Sequence, residues 1–109
     1  MALLKGTLDV LVLKALSWGP MHGFEITSWL EERSGGRLNV VDAALIQALH
    51  RMEERKLIAA EWGMTHNGRR ARYYKLTPVG RVQMRADADA LIDHMHGLTA
   101  ILTARQVEP

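Results

Sequence analysis

Leu57-Ile58-Ala59-Ala60-Glu61-Trp62-Gly63-Met64, then Thr65-His66-Asn67-Gly68-Arg69-Arg70, then Ala71-Arg72-Tyr73-Tyr74-Lys75-Leu76 and Thr77-Pro78 read as a β-hairpin that runs straight into a helix. Asn-Gly between two such runs is a strong hairpin signal, because both residues tolerate positive φ. A two-residue Asn67-Gly68 turn sets Trp62 opposite Tyr73, a favourable aromatic pair across the ladder. A longer loop shifts that register, and the sequence leaves the choice open. Tyr73 and Tyr74 alternate across the strand, so one is expected in the core and the other on the outer surface. Thr77 then caps a helix whose first turn accepts Pro78, since the missing N–H has no partner there in any case.

Three helical segments precede the hairpin. Thr7 to Ser17 forms the first, with Thr7 as N-cap. Its interior, Leu8 to Leu16, is apolar on almost every side and requires burial on more than one face. A second subunit is therefore expected to cover part of it, at Leu8 and Leu11. Trp18-Gly19-Pro20 ends this helix. Met21 to about Ser34 forms the second, with Phe24, Ile26, Trp29 and Leu30 as its apolar stripe and Gly35-Gly36 as its stop. Asp42 is expected to cap a third helix reaching about Lys56. Leu45, Ala48, Leu49 and Met52 recur at helical spacing and form its core face. Ala43, Ile46, Gln47, His50, Arg51 and Glu54 lie on the other side.

Downstream of Thr77-Pro78 the helix can continue to about Arg105. Met84, Ala88, Leu91, Met95, Leu98 and Leu102 follow a spacing of 4, 3, 4, 3, 4, a heptad seam. Gly97 interrupts it at a cost of roughly 1 kcal/mol relative to alanine. The seam can pack on its own domain or pair with another chain. The fold before Thr77 can close without it, so pairing with a second copy is favoured. The chain is thus expected to divide into a unit at 1–77 and a dimerisation helix at 78–109.

Composition narrows the function. The 109 residues fit one domain with an added helix, and are too few for a complete barrel or doubly wound enzyme. With no cysteine there are no disulfides, thiolate zinc sites or thiol catalysis. No apolar run approaches the ~20 residues of a membrane helix. Asp9 and Lys14 interrupt the apolar N-terminal stretch and no small-residue cleavage site follows, so the expected location is the cytoplasm. No Gly-x-Ser-x-Gly, phosphate loop or His-Glu-x-x-His is present, so neither an enzyme nor a cofactor is expected. His94 and His96 do not share a helix face and do not suggest a metal. His22 is expected to hydrogen-bond locally. Trp18, Trp29 and Trp62 either line a ligand cavity or, more commonly for tryptophan, anchor the core or an interface.

The net charge is +2, unevenly spread. Arg69, Arg70, Arg72, Lys75, Arg81 and Arg85 stand within residues 69–85 with no acid among them. Such a cationic stretch suggests a polyanion partner. Three helices, a hairpin and a long helix in that order form the winged helix-turn-helix plan, an α+β fold that is mostly α. A helix in the major groove meets base edges that carry a unique donor and acceptor code, and a basic hairpin tip beside it meets phosphates. The expected DNA contacts are Ala43, Ile46, Gln47, His50 and Arg51 from the third helix, and His66, Asn67, Arg69, Arg70 and Arg72 from the wing. The expected dimer contacts are Leu8, Leu11, Met84, Ala88, Leu91, Met95, Leu98 and Leu102.

Four segments in order resemble PadR-type transcriptional regulators of the short form with one C-terminal helix. They are Leu4-Lys5-Gly6-Thr7-Leu8, Gly19-Pro20-Met21-His22-Gly23-Phe24-Glu25-Ile26, Ala48-Leu49-His50-Arg51-Met52-Glu53 and Arg70-Ala71-Arg72-Tyr73-Tyr74-Lys75-Leu76-Thr77-Pro78-Val79-Gly80. The resemblance implies a homodimeric regulator, usually a repressor, that binds double-stranded DNA. It also implies a small aromatic or hydrophobic effector near the dimer interface. Two recognition helices about one turn apart, ~34 Å, predict a pseudopalindromic operator. The chain departs from the family pattern at Ile46, where tyrosine is usual, and at Asp42, where a neutral cap is common. Ile46 suits a thymine methyl. The competing reading is a winged-helix adaptor that binds proteins and has little specific affinity for DNA.

Overall fold

The computed structural model describes residues 6–106. Leu4 and Lys5 of the first family-like segment lie outside them, as do the outer ends of the expected division, 1–5 and 107–109. The elements run α1 (Thr7–Leu16), β1 (Met21–His22), α2 (Gly23–Arg33), α3 (Asp42–Glu54), β2 (Ile58–Met64), β3 (Arg70–Leu76) and α4 (Pro78–Leu102). The strands form one antiparallel sheet in the order β1-β3-β2.

α1 is apolar all round because it packs against α2, α3, β3 and α4 of its own chain. Val12, Leu13, Ala15 and Leu16 are buried there, with Leu8 and Leu11 half-buried against the same core. Ile26 and Leu30 from α2, Leu45, Ala48, Leu49 and Met52 from α3, and Ile58 and Tyr74 from the sheet complete the centre. Tyr74 is the core tyrosine of the pair. Phe24 does not belong to the stripe and is 77% exposed. It stands two residues before Ile26, about 200° round the helix from the face that Ile26 and Leu30 bury.

The helix ends correct several expectations. Gly6, at φ 87, occupies the N-cap of α1, so Thr7 is its first helical residue and not its cap. Val41 holds that place in α3, and Asp42 makes no capping bond. The Asp42 carboxylate still stands in the first turn, where the helix dipole favours an anion. Met21 and His22 are strand, paired with Tyr74 and Tyr73, so α2 starts at Gly23. His22 caps it: Nδ1 accepts the Glu25 N–H at 3.3 Å, while Glu25 Oε1 accepts the His22 N–H at 3.1 Å. This reciprocal box normally uses serine or threonine. α2 stops with the Gly36 N–H on the Glu31 carbonyl at 2.8 Å and the Gly35 N–H on that of Glu32 at 3.1 Å. α3 ends the same way at Lys56, whose φ of 61 falls where glycine is favoured. The Leu57 N–H then meets the Met52 carbonyl at 2.9 Å, and Leu57 turns into the core.

The hairpin takes the longer loop. Thr65 N–H bonds the Arg69 carbonyl at 2.8 Å and Gly68 N–H bonds that of Thr65 at 2.9 Å. Gly68, at φ 79, supplies the left-handed residue, and Asn67 keeps a negative φ. A three-residue loop with glycine in that place shifts the register from the two-residue alternative. Trp62 therefore opposes Arg72, and Tyr73 opposes Glu61. Gly63 makes room for Tyr73, since a Cβ there would lie 2.9 Å from its ring.

Thr77 fastens α4 to the α3–β2 junction. Its hydroxyl donates to the Lys56 carbonyl at 2.7 Å and accepts the Gly80 N–H at 3.0 Å. Gly80 lies so close that a Cβ would stand 1.9 Å from the Leu57 carbonyl oxygen. Met84, one turn on, is buried in the chain's own core. Beyond Leu91, α4 leaves the body and stretches the molecule to 67 × 28 × 22 Å.

Candidate nucleic-acid interface

The buried face of α3 fixes what its other face presents. With Leu45, Ala48, Leu49 and Met52 turned inward, Ala43, Ile46, Gln47, His50 and Arg51 are all exposed. Ile46 is 52% exposed, although it is a large aliphatic residue in a helix with a full core stripe. The β2–β3 hairpin stands beside this face. His66, Asn67, Arg69 and Arg70 at its tip are exposed, and Arg72 is half-buried.

α3 and the hairpin meet along one groove of about 380 Å³. Ile46, Arg69, Arg70 and Arg72 contribute to its wall, and Phe24 joins them from the start of α2. Leu45, Leu49 and Tyr74 also line the groove, beneath its rim of arginines. The arginines differ in their attachments. Arg70 lies over the Trp62 ring at 4.7 Å, a cation–π contact that draws its side chain diagonally across to β2. Arg72 bonds Glu53 Oε2 at 2.7 Å and lies 5.6 Å from the Tyr74 ring centre. Arg51 bonds Asp9 Oδ1 on α1 at 2.8 Å. No carboxylate lies in salt-bridge range of Arg69 or Arg70 among the described residues.

Asp9, Glu53 and Phe24 join this surface without having been expected there. Asp9 had a signal, since it is the one acid in a helix that, apart from Thr7 and Lys14, is otherwise apolar. Glu53 stood only within a family-like segment, with no role of its own, and Phe24 was expected in the apolar stripe.

The expected interface residues fall into two groups. Leu8, Leu11, Met84 and Ala88 pack on the chain's own core, Met84 at 6% exposure. Leu91 is half-buried, while Met95, Leu98 and Leu102 are exposed on the projecting part of α4. Between α1 and α4 lies a cavity of about 630 Å³. Leu11, Trp18, Met84, Leu91 and Met95 line it together with Lys14, Arg81 and Arg85. No described helix is long and apolar enough to cross a membrane.

A helix-turn-helix carrying a basic hairpin beside its second helix defines the winged-helix class of regulators. Residues 12–86 match the transcriptional regulator PadR-like family. The chain belongs to that family, and it is a transcriptional regulator, not an enzyme. A PadR-like transcriptional regulator from Bacillus cereus shares the fold at a TM-score of 0.78 and 22% identity, over 93% of this chain and 96% of that one. PadR from Bacillus subtilis, solved in complex with operator DNA, shares it at 0.66 and 18%, over 95% of this chain and 51% of that one. An uncharacterised transposon protein from Streptomyces fradiae is 37% identical over 83 residues, which are 76% of this chain and 22% of that protein.

Proposed function

We propose that the protein is a homodimeric repressor that binds a pseudopalindromic operator in double-stranded DNA. Ala43, Ile46, Gln47, His50 and Arg51 enter the major groove, His66, Asn67, Arg69 and Arg70 meet the backbone beside it, and Arg72, tied to Glu53 of α3, faces the DNA where helix and hairpin join. The observation that carries this reading is the groove in which Ile46 of α3 and three hairpin arginines share one wall. A base-reading helix and a phosphate-binding tip must act together on one duplex, and a shared groove sets the two side by side. The likeness to a regulator solved on operator DNA supports it.

Residues 1–77 serve as the DNA-binding unit and 78–109 as the dimerisation helix, rooted in the core by Met84. The dimer reading is supported by Ile92, Met95, Leu98, Ile101 and Leu102, which leave the projecting half of α4 apolar and exposed. A second copy would cover that face. The cavity between α1 and α4 has the size of a small-ligand site and an apolar, tryptophan-bearing wall. A small aromatic or hydrophobic effector held there would change the angle between α4 and the DNA-binding unit, and with it the spacing of the two recognition helices. The cytoplasm is the compartment where this function operates.

Sequencing the DNA that the purified protein retains from a random duplex pool tests the reading. Enrichment of a motif with two-fold symmetry is the expected result. Retention without enrichment, no stronger than for an unrelated protein of equal charge, would favour the adaptor reading instead.

A further inference from the structure

Two of the arginines on the DNA-facing surface are held by partly buried carboxylates of the same chain. Asp9 is largely buried, with 19% of its side chain exposed, and stands on α1. Its Oδ1 takes one N–H of Arg51 on α3 at 2.8 Å, while the Arg51 side chain stays 54% exposed. Glu53 on α3, 32% exposed, binds Arg72 on β3 at 2.7 Å. Each pair therefore links two elements, α1 to α3 and α3 to the hairpin.

An arginine guanidinium carries five N–H donors in a rigid plane. One contact to a fixed carboxylate restricts that plane and leaves the other donors free. A lysine in the same place would offer no such planar fork. The negative charge also opposes approach of the phosphate backbone, so an arginine paired in this way adds less to general DNA affinity than a free one. Arg69 and Arg70, at the tip, have no such partner among the described residues.

We propose that Asp9 and Glu53 are positioning residues for sequence discrimination: they fix Arg51 and Arg72 as oriented donors and lower the protein's affinity for DNA at large. The proposal rests on the DNA-binding reading above. It assigns the hairpin tip to general affinity, and the two buttressed arginines to the choice of site.

The test compares wild type, Asp9→Asn and Glu53→Gln on two probes, the duplex enriched by wild type from a random pool and a random duplex of equal length. Both substitutions keep side-chain size and remove the charge. Each variant is expected to bind the random duplex more tightly than wild type. Its slope of log K against log salt should steepen by about 0.9 for every freed arginine that reaches a phosphate. The ratio of enriched to random affinity should fall by at least about fivefold, the smaller end of what one well-oriented base contact supplies. These opposite movements separate positioning from a general structural role, which would lower both affinities together. Denaturant midpoints identify any variant that does not fold; if Asp9→Asn is one, Glu53→Gln on the surface of α3 carries the test. Unchanged discrimination in folded variants, or a parallel fall on both probes, overturns the proposal while leaving the DNA reading in place. A wild-type protein that enriches no sequence overturns both.

Discussion

Gly80 has no room for a side chain, because the Leu57 carbonyl oxygen sits where its Cβ would be. The obstacle is backbone, held by the Thr77 N–H at 3.1 Å, and cannot swing aside. Gly80→Ala is therefore expected to destabilise the fold by about 3 kcal/mol or more, measured by urea denaturation. Lys56 presents the reverse case. It holds a left-handed conformation at a helix end, so Lys56→Gly should raise stability by up to about 1 kcal/mol in the same assay. Gln47 belongs to the proposed reading surface. Gln47→Ala should cost roughly 1–3 kcal/mol on the enriched duplex and little on a random one, since glutamine carries no charge for phosphates. At this scale the sequence was only partly legible. The outward face of α3 followed from its inward periodicity. The attachments of Arg51 and Arg72 did not, because each partner sits on a different element, and Asp9 is 42 residues away from Arg51.

The hairpin shows what is legible in an element and what is not. Two short runs around Asn-Gly and a Thr-Pro start fix its existence and the start of α4. Its register depends on which loop residues take positive φ, and here Gly68 takes it alone. The strand β1 has two residues, too few to show a period of two, and it forms because β3 offers an edge beside it. Functionally, the hairpin tip is the element through which phosphate contact is made. Replacing Arg69 and Arg70 together by alanine should flatten the salt dependence by about 0.9 per lost contact, and by up to about 3.6 in a dimer. Filter binding across a salt series measures this. Affinity should fall alike on enriched and random duplexes, and the variant should keep its denaturation midpoint, since exposed turn arginines contribute little to stability. A folded variant with an unaltered slope would remove the tip from the DNA contact.

For the molecule as a whole, α4 is the element that joins two roles. Its first turns belong to the core through Gly80 and Met84. Its last turns expose Met95, Leu98, Ile101 and Leu102. The heptad spacing of the sequence runs through both parts and does not mark where one gives way to the other, because that point is set by how far α1 extends alongside. Leu98→Lys places a charge in the exposed seam, where an unpaired ammonium in an interface is costly. Sedimentation should show a monomer in place of a dimer, with weaker DNA binding. A dimer of unaltered stability would place the interface elsewhere.

Hydroxyl-radical footprinting of wild type on its enriched duplex tests most directly the claim that α3 and the hairpin form the DNA interface of a two-fold dimer. Two symmetric protected patches are predicted, with centres about one helical turn, ~34 Å, apart. The patches should fade together when Arg69, Arg70 and Gln47 are replaced by alanine. A single asymmetric patch, or protection that survives those replacements, would contradict the account.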